Sequence, residues 1–449
     1  MRFPLIYGQI TFEKTFGGAN DDIAFSVQQT SDSGYIIVGY TESYGNGGDI
    51  YLIKTAPNGD LLWTKCYGGS LGEIAYSVQE TDDNGFIIAG ISNSFSSTIH
   101  RVYLIKSDSY GDTLWTKIYG RGGAKSVQQI SDGGYIIVGY TPGFEKDDYD
   151  VYIIRTDSNG DTLWTKTYGN NADNRANSIR QTKDGGFIIA GQTTRSGENY
   201  KIKKGYLIKI DADGDTIWTN TDIDGILTSV QQTGDGGCIV TGYKGSIPNI
   251  DAYLVKTDAN GKLTWIKTYG LSDWAYAESV QITNDGGYIF TGSIDIPGEN
   301  FNVYLVKTDY TGKLIWAKDF GGRGRNKAFS VQQTNDGGYI MVGFTKEFGS
   351  DYDVYLIKTV DIRVHSIVDT NLAMKTHLFP NPTNGLVFMQ YPENYEISIE
   401  LINCGGAIIS QMSNQKGNTT IDLSSYPPGI YILKIKSENE VEIRKIIKK

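Results

Sequence analysis

Carboxylates set in Gly-containing turns are the first residues of this 449-residue chain whose spacing could do chemistry. "DADGD" places Asp211, Asp213 and Asp215 at alternate positions, and "DSNGD" does the same with Asp157, Asn159 and Asp161. A hard cation such as calcium takes oxygen ligands at that spacing, but a full loop adds a later Glu or its equivalent. Related turns elsewhere read "APNGD", "DANGK" and "DYTGK", where ligands are lost or replaced by Lys262 and Lys313. Asn, Asp and Gly also suit a tight hairpin turn for backbone reasons alone. The turn reading is preferred, with Asp211, Asp213 and Asp215 as the one calcium candidate; no metal or cofactor is otherwise expected.

Other catalytic constellations are sparse. Paired carboxylates could hydrolyse a glycosidic bond. However, Glu73, the Asp21–Asp22 pair and the acids of "GFEKDDYD" (Glu145, Asp147, Asp148) do not stand out from a solvated surface. Cys66, Cys238 and Cys404 lie far apart and form no CxxC pair. Of three histidines only His100 falls inside the repeated region described next, which leaves little room for zinc or Ser-His-Asp chemistry. A net charge of −10 argues against nucleic acid, and no apolar run approaches the roughly 18 residues of a membrane span.

The elements that would position any site are repeats. A Ser followed by Val or Ile recurs at Ser26, Ser77, Ser126, Ser178, Ser229, Ser279 and Ser330. A "YLIKT"-like run starts seven times, from Tyr51 to Tyr355, whereas a following Trp occurs six times, from Trp63 to Trp316. Each unit of about 50 residues reads as four strands: "SVQQT", a continuous apolar "GYIIVGYT", an alternating "DVYLIKTD" and "DTLWTKTYG". Four-stranded units at this period predict a β-propeller. The last unit stops at Thr359, while the orphan strand "ITFEKTFGG" at residues 10–18 carries Phe12 at the Trp position. This pattern predicts seven blades, with the N-terminal strand closing the last one. The Trp residues are expected between blades. Their surroundings, best seen in "KTDYTGKLIWAKDFGG" at 307–322, resemble the tryptophan-docked blades of quinoprotein-like propellers, a likeness that implies fold alone.

The propeller is expected over residues 1–360, a linker over 361–376 and a second domain over 377–449. The tail has seven acidic and seven basic side chains, so the charge of −10 belongs to the rest. Its alternating runs, such as "ISIELIN" and "IYILKIK", predict a small β-sandwich. It opens with "LFPNPTNG" (Pro380, Asn381, Pro382, Gly385), turns at Gly406 and continues with "IDLSSYPPGIYILKI" (Pro428, Gly429, Tyr431) before a basic end, "RKIIKK". In that order these elements resemble the type A C-terminal sorting domain of the type IX secretion system. The resemblance implies a secreted or surface-attached protein of a Bacteroidetes-like bacterium, with the type IX machinery as a partner. Such cargo also carries a signal peptide; "MRFPLIYGQ" is too short to hold its apolar region, so that signal is expected outside this sequence.

Loops between blades and between second and third strands vary among the units and emerge on one face. Variation on a repeat scaffold marks the place where a ligand binds. That face holds the candidates Asp21, Asp22, Arg121, Trp274, Tyr276, Arg323 and Arg325. Trp274 is the one Trp outside the repeat position and suits stacking on a sugar or anchoring a protein. The expected activity is therefore non-catalytic binding of a glycan or an extracellular protein. The alternatives are a carboxylate-dependent secreted hydrolase and a structural surface-layer component.

Overall fold

The computed structural model describes every residue outside 1–9, 96–99, 144–147, 170–171, 197–200, 247–248, 271–273, 297–299, 323, 348, 361–376, 380–382, 391–395, 404–406, 416–418 and 437–440. Its described elements are strands, grouped into seven four-stranded sheets and a pair of sheets in the tail. The chain forms two compact units, Met1–Ile362 and Arg363–Lys449.

Unit one is a seven-bladed propeller. Six blades run in chain order, beginning with Asp22–Gln29, Tyr35–Thr41, Asp49–Thr55 and Leu61–Tyr67. The seventh takes Asn326–Gln333, Tyr339–Thr345 and Asp353–Thr359 from the end of the repeats, and Ile10–Phe16 from the start of the chain. That strand runs antiparallel to the third, pairing Glu13 with Ile357 and Thr15 with Tyr355. The closure covers the edge of the third strand of blade seven, which would otherwise be bare. Across the seam Val27 donates its N–H to Ser330 Oγ at 3.3 Å, and Gln29 donates to Gln332 Oε1 at 2.5 Å.

Burial falls outward as the apolar runs dictate. The second and third strands are buried on both faces and fill the space between blades; one such cluster joins Ile37 and Ile53 to Ile340 and Leu356. Fourth strands alternate between exposed and half-buried positions. Trp63, Trp115, Trp164, Trp218 and Trp265 lie between blades but are only half-buried, and Trp316 alone is buried, at 5% exposure. The fourth strand is outermost, so one edge of each ring faces solvent. Each of the five half-buried rings covers a positive-φ glycine in the next blade, as Trp63 covers Gly111 and Trp164 covers Gly214, and Phe12 does the same over Gly59.

First strands line the central channel. In each, the register slips at one residue, between Ala24 and Ser26 in blade one and at the equivalent place in the other six. This is a β-bulge, in which the extra residue leaves the ladder. The glycine opposite is obligatory: a Cβ on Gly39 would lie 1.9 Å from the Ile23 carbonyl oxygen. That clash explains why the second strand always contains Gly.

An ion pair with a buried cation and an exposed carboxylate also recurs in every blade. The basic residue near the end of the third strand reaches back to the Asp of the first turn, as in Lys54–Asp32, Arg155–Asp132 and Lys358–Asp336. Lys358 is 2% exposed and also donates to the Thr359 carbonyl.

Unit two pairs a three-stranded sheet (His377–Phe379, Leu386–Gln390, Thr419–Asp422) with a four-stranded one (Ile408–Gln415, Ile397–Ile402, Gly429–Lys436, Val441–Lys448). Val387, Ile399, Leu401, Leu433 and Ile446 form their common core.

Candidate functional site

The bulged residues are Phe25, Tyr76, Lys125, Asn177, Thr228, Glu278 and Phe329, one per blade, and all seven line a central cavity of about 290 Å³. A bulge re-aims its side chain and frees it from cross-strand packing. The residue can therefore change without cost to the sheet, and the seven positions hold six residue types while the flanking Ser is constant. Phe25 touches Tyr76 and Phe329, with ring centroids 5.0 Å apart in each pair, so the rings form an aromatic arc along one side. Lys125 rests its ammonium over the Tyr76 ring, 3.2 Å from the centroid. Glu278 pairs with Lys327 at 2.7 Å.

Further along each first strand the two Gln of "SVQQ" hold the ring together. Gln28, Gln79, Gln128, Gln231, Gln281 and Gln332 each accept a backbone N–H from the following blade. Gln129, Gln232 and Gln333 accept one from the turn of the preceding blade. Arg180 occupies the seventh place of the first set.

An aromatic cluster stands beside the cavity on the variable face. Trp274 stacks on Phe301 with centroids 5.6 Å apart and planes at 12°; Tyr276 lies 6.2 Å from Phe301 and 4.9 Å from Tyr243. Arg325 holds its guanidinium 5.5 Å from the Phe301 centroid. Lys327 spans Tyr276 at 5.4 Å and Phe329 at 4.7 Å, and so links this cluster to the arc. Of the residues singled out in the sequence, Trp274, Tyr276 and Arg325 come together here.

The other candidates lie elsewhere. Asp22 is fully buried; it accepts from Gly18 N–H at 2.8 Å and Ser43 Oγ at 2.6 Å, while Asp21 accepts from Tyr352 N–H at 2.9 Å. Both stitch blade seven to blade one. Arg121 is exposed at the end of a fourth strand, opposite Arg101. Arg323 lies outside the described residues, as do Glu145 and Asp147 of the acidic loop. In the calcium candidate, Asp211 Oδ1 accepts the N–H groups of Asp213 and Asp215 at 3.0 and 2.8 Å, and Asp215 pairs with Lys166 of the preceding blade. Asp258 accepts from Asn260 and Lys262 in the same way, so the turn geometry does not depend on a third carboxylate. Phe301, Lys125 and the arc were missed in the sequence. The variable residue before each constant Ser was the signal that could have found them.

In the tail, Tyr431 donates its hydroxyl to the Pro427 carbonyl at 2.6 Å. Lys448 is 9% exposed, and its ammonium donates to the carbonyls of Leu423, Ser424 and Tyr426. Pro380, Asn381, Pro382 and Gly406 lie outside the described residues, whereas Gly385, Pro428 and Gly429 lie within them. Residues 377–449 match the family of secretion system C-terminal sorting domains. The tail is a type IX sorting domain. It marks the chain for export and outer-surface attachment, and implies contact with the secretion machinery. Among the described residues no helix is long and apolar enough to cross a membrane.

Among curated proteins none matches the sequence. Solved structures similar to the chain include Sqt1 of Chaetomium thermophilum, at 9% identity over 78% of this chain and 98% of that one, with a TM-score of 0.46. Puromycin hydrolase is 12% identical over 84% of this chain and 59% of its own, with a TM-score of 0.49. The extracellular domain of a hybrid two-component system of B. thetaiotaomicron is 10% identical over 95% and 68%, with a TM-score of 0.31.

Proposed function

We propose that this exported protein binds glycans without transforming them, using the variable face around the channel mouth. The observation that carries this reading is the run of rings from Trp274 through Phe301 and Tyr276, joined by Lys327 to Phe329, Phe25 and Tyr76. Flat rings at a mouth edged by polar groups offer faces on which sugars stack. A hydrolase would need two free carboxylates in the cavity. Glu278 alone among the described acids lines it, and Lys327 holds it.

The test is a glycan array probed with the full chain, followed by titration of the best hits against Trp274→Ala and Phe301→Ala. The expected result is binding weakened at least tenfold in both variants, with far-ultraviolet spectra unchanged. Wild-type levels of binding in both would overturn the proposal, as would an array with no hits. Turnover of a bound glycan would restore the hydrolase reading.

A further inference from the structure

Arg180 departs from a rule that the other six blades obey. Their Gln side chains accept a backbone N–H across the interface. A guanidinium has no acceptor and cannot replace that bond. Arg180 donates instead to the carbonyl of its neighbour Ile179 at 2.8 Å. On the adjoining first strand Lys125 enters the same cavity, and its ammonium meets a ring face rather than an acid. Among the described residues neither cation has a carboxylate within ion-pair reach. Glu278, the one acid of the lining, belongs to Lys327, and Arg175 near Lys125 belongs to Asp173. The lining therefore carries two cations without an ion-pair partner, beside the single carboxylate of Glu278, whose charge also reaches Lys125, in a chain whose net charge is −10. Burial costs a charge dearly unless a counter-charge joins it. In agreement, burial, with Arg175 close by, brings the Lys125 ammonium down to about 8, and burial also lowers Arg180.

Resting on the glycan reading above, we propose that the channel receives the anionic substituent of an acidic saccharide, held between Lys125 and Arg180 while the sugar ring meets the aromatic arc. Lys125 stands one residue before the constant Ser and Arg180 two after it, on neighbouring strands. At roughly 3.3 Å per residue the separation is about 10 Å along the channel, which two long side chains can span around one anion. Arg offers a planar fork to a carboxylate or sulfate, and Lys offers a mobile point charge. A cavity of about 290 Å³ lies at the lower end of ligand-site volumes, which start at roughly 300 Å³, so it admits a single sugar-sized group. Ser, Gln, Asn177 and Thr228 on the remaining walls supply neutral polar surface.

The experiment titrates the full chain calorimetrically with glucuronate, glucose 6-sulfate, glucose and polyglutamate, using wild type, Arg180→Gln and Lys125→Thr. Arg180→Gln installs the residue found at the other six interfaces, and Lys125→Thr the residue of blade five, so both variants should keep their melting temperature. The expected result is that an anionic hexose binds at least tenfold more tightly than glucose, with carboxylate and sulfate arms naming the preferred anion. That preference should fall to within twofold in either variant and decline as the pH rises through 8. Equal binding of glucuronate, glucose 6-sulfate and glucose would overturn the proposal, as would unchanged preference in Arg180→Gln, or binding of polyglutamate without either acidic hexose. Neutral glycans bound in a Trp274-dependent way with no anion preference would defeat this inference and leave the glycan reading intact. Anion-selective hexose binding that ignores Trp274→Ala would do the reverse.

Discussion

Trp115 lies across Gly160 of the next blade, a residue with φ of 77° whose Cβ, if it had one, would stand 2.8 Å from the ring. A flat aromatic, a bare backbone and a left-handed turn meet at that point. Tyr119 adds its hydroxyl, which donates to the Gly160 carbonyl at 2.7 Å. Trp115→Ala is expected to cost about 2–4 kcal/mol, somewhat below a fully buried ring because this one is half exposed. Gly160→Ala should cost about 2–3 kcal/mol through turn strain and overpacking. Urea midpoints of both variants check this, and a loss below 0.5 kcal/mol (an order-of-magnitude threshold for neutral surface changes) in Gly160→Ala would refute the docking role.

The closing strand makes a different prediction. Removing residues 1–18 bares the third strand of blade seven and discards the contacts of Phe12 with Tyr35 and Gly59. Removing 377–449 leaves every blade whole. The first truncation should lower the propeller's melting temperature by more than 10 °C, on the order of a 7 kcal/mol loss for a unit of this size, and the second by far less. Similar losses in the two would contradict the latch.

Acid should loosen the blades together. Desolvation raises Asp83, but hydrogen bonds from Thr81 and Lys106 outweigh it and hold the carboxyl at about 2. Asp184 is balanced the same way by Lys209 and Thr182, and Lys256 and Thr233 bring Asp235 to about 2. An unfolded aspartate titrates near about 3.9. A carboxylate whose folded pKa is depressed adds stability that is complete above the unfolded value and is lost as pH falls toward the folded one. Chemical denaturation between pH 5 and pH 2 should therefore show a midpoint that drops through this window. Lys256→Met should reduce the drop, and an unchanged pH slope in that variant would exclude the ion pairs as its source.

The tail should work as an independent address. Residues 377–449, fused behind a fluorescent protein that has its own signal peptide, are expected to carry it to the surface or medium of a host with type IX secretion. Lys448→Ala removes the ammonium that joins the last strand to the Leu423–Tyr426 turn, and should lower the melting point of the isolated sandwich. Periplasmic retention of the fusion, seen by cell fractionation, would reject the assignment.

Much of the fold was legible because it is written seven times. The Ser, Tyr and Trp landmarks and the orphan strand around Phe12 located each blade and the closure. Half-burial of the Trp rings was not legible, since alternation tells which face points inward but not how much covers it. The site was harder. Trp274 stood out as the Trp outside the repeat position, and Tyr276 and Arg325 as residues of the variable face, but Phe301 joins them from a different strand and no local spacing announces it. Asp21 and Asp22 were conspicuous as neighbouring acids, yet the N–H groups and hydroxyl they serve become visible only when blade seven meets blade one.

The β-bulge in each first strand separates two duties that most buried strands combine. The Ser beside it keeps the blades in register, while the bulged side chain answers only to whatever enters the channel. Seven such positions, one per repeat, form a ring of letters that can be respelled one at a time. Lineages that share this scaffold can thus diverge in taste while remaining alike in build, and a designer could rewrite the ring without reopening the question of whether the protein folds.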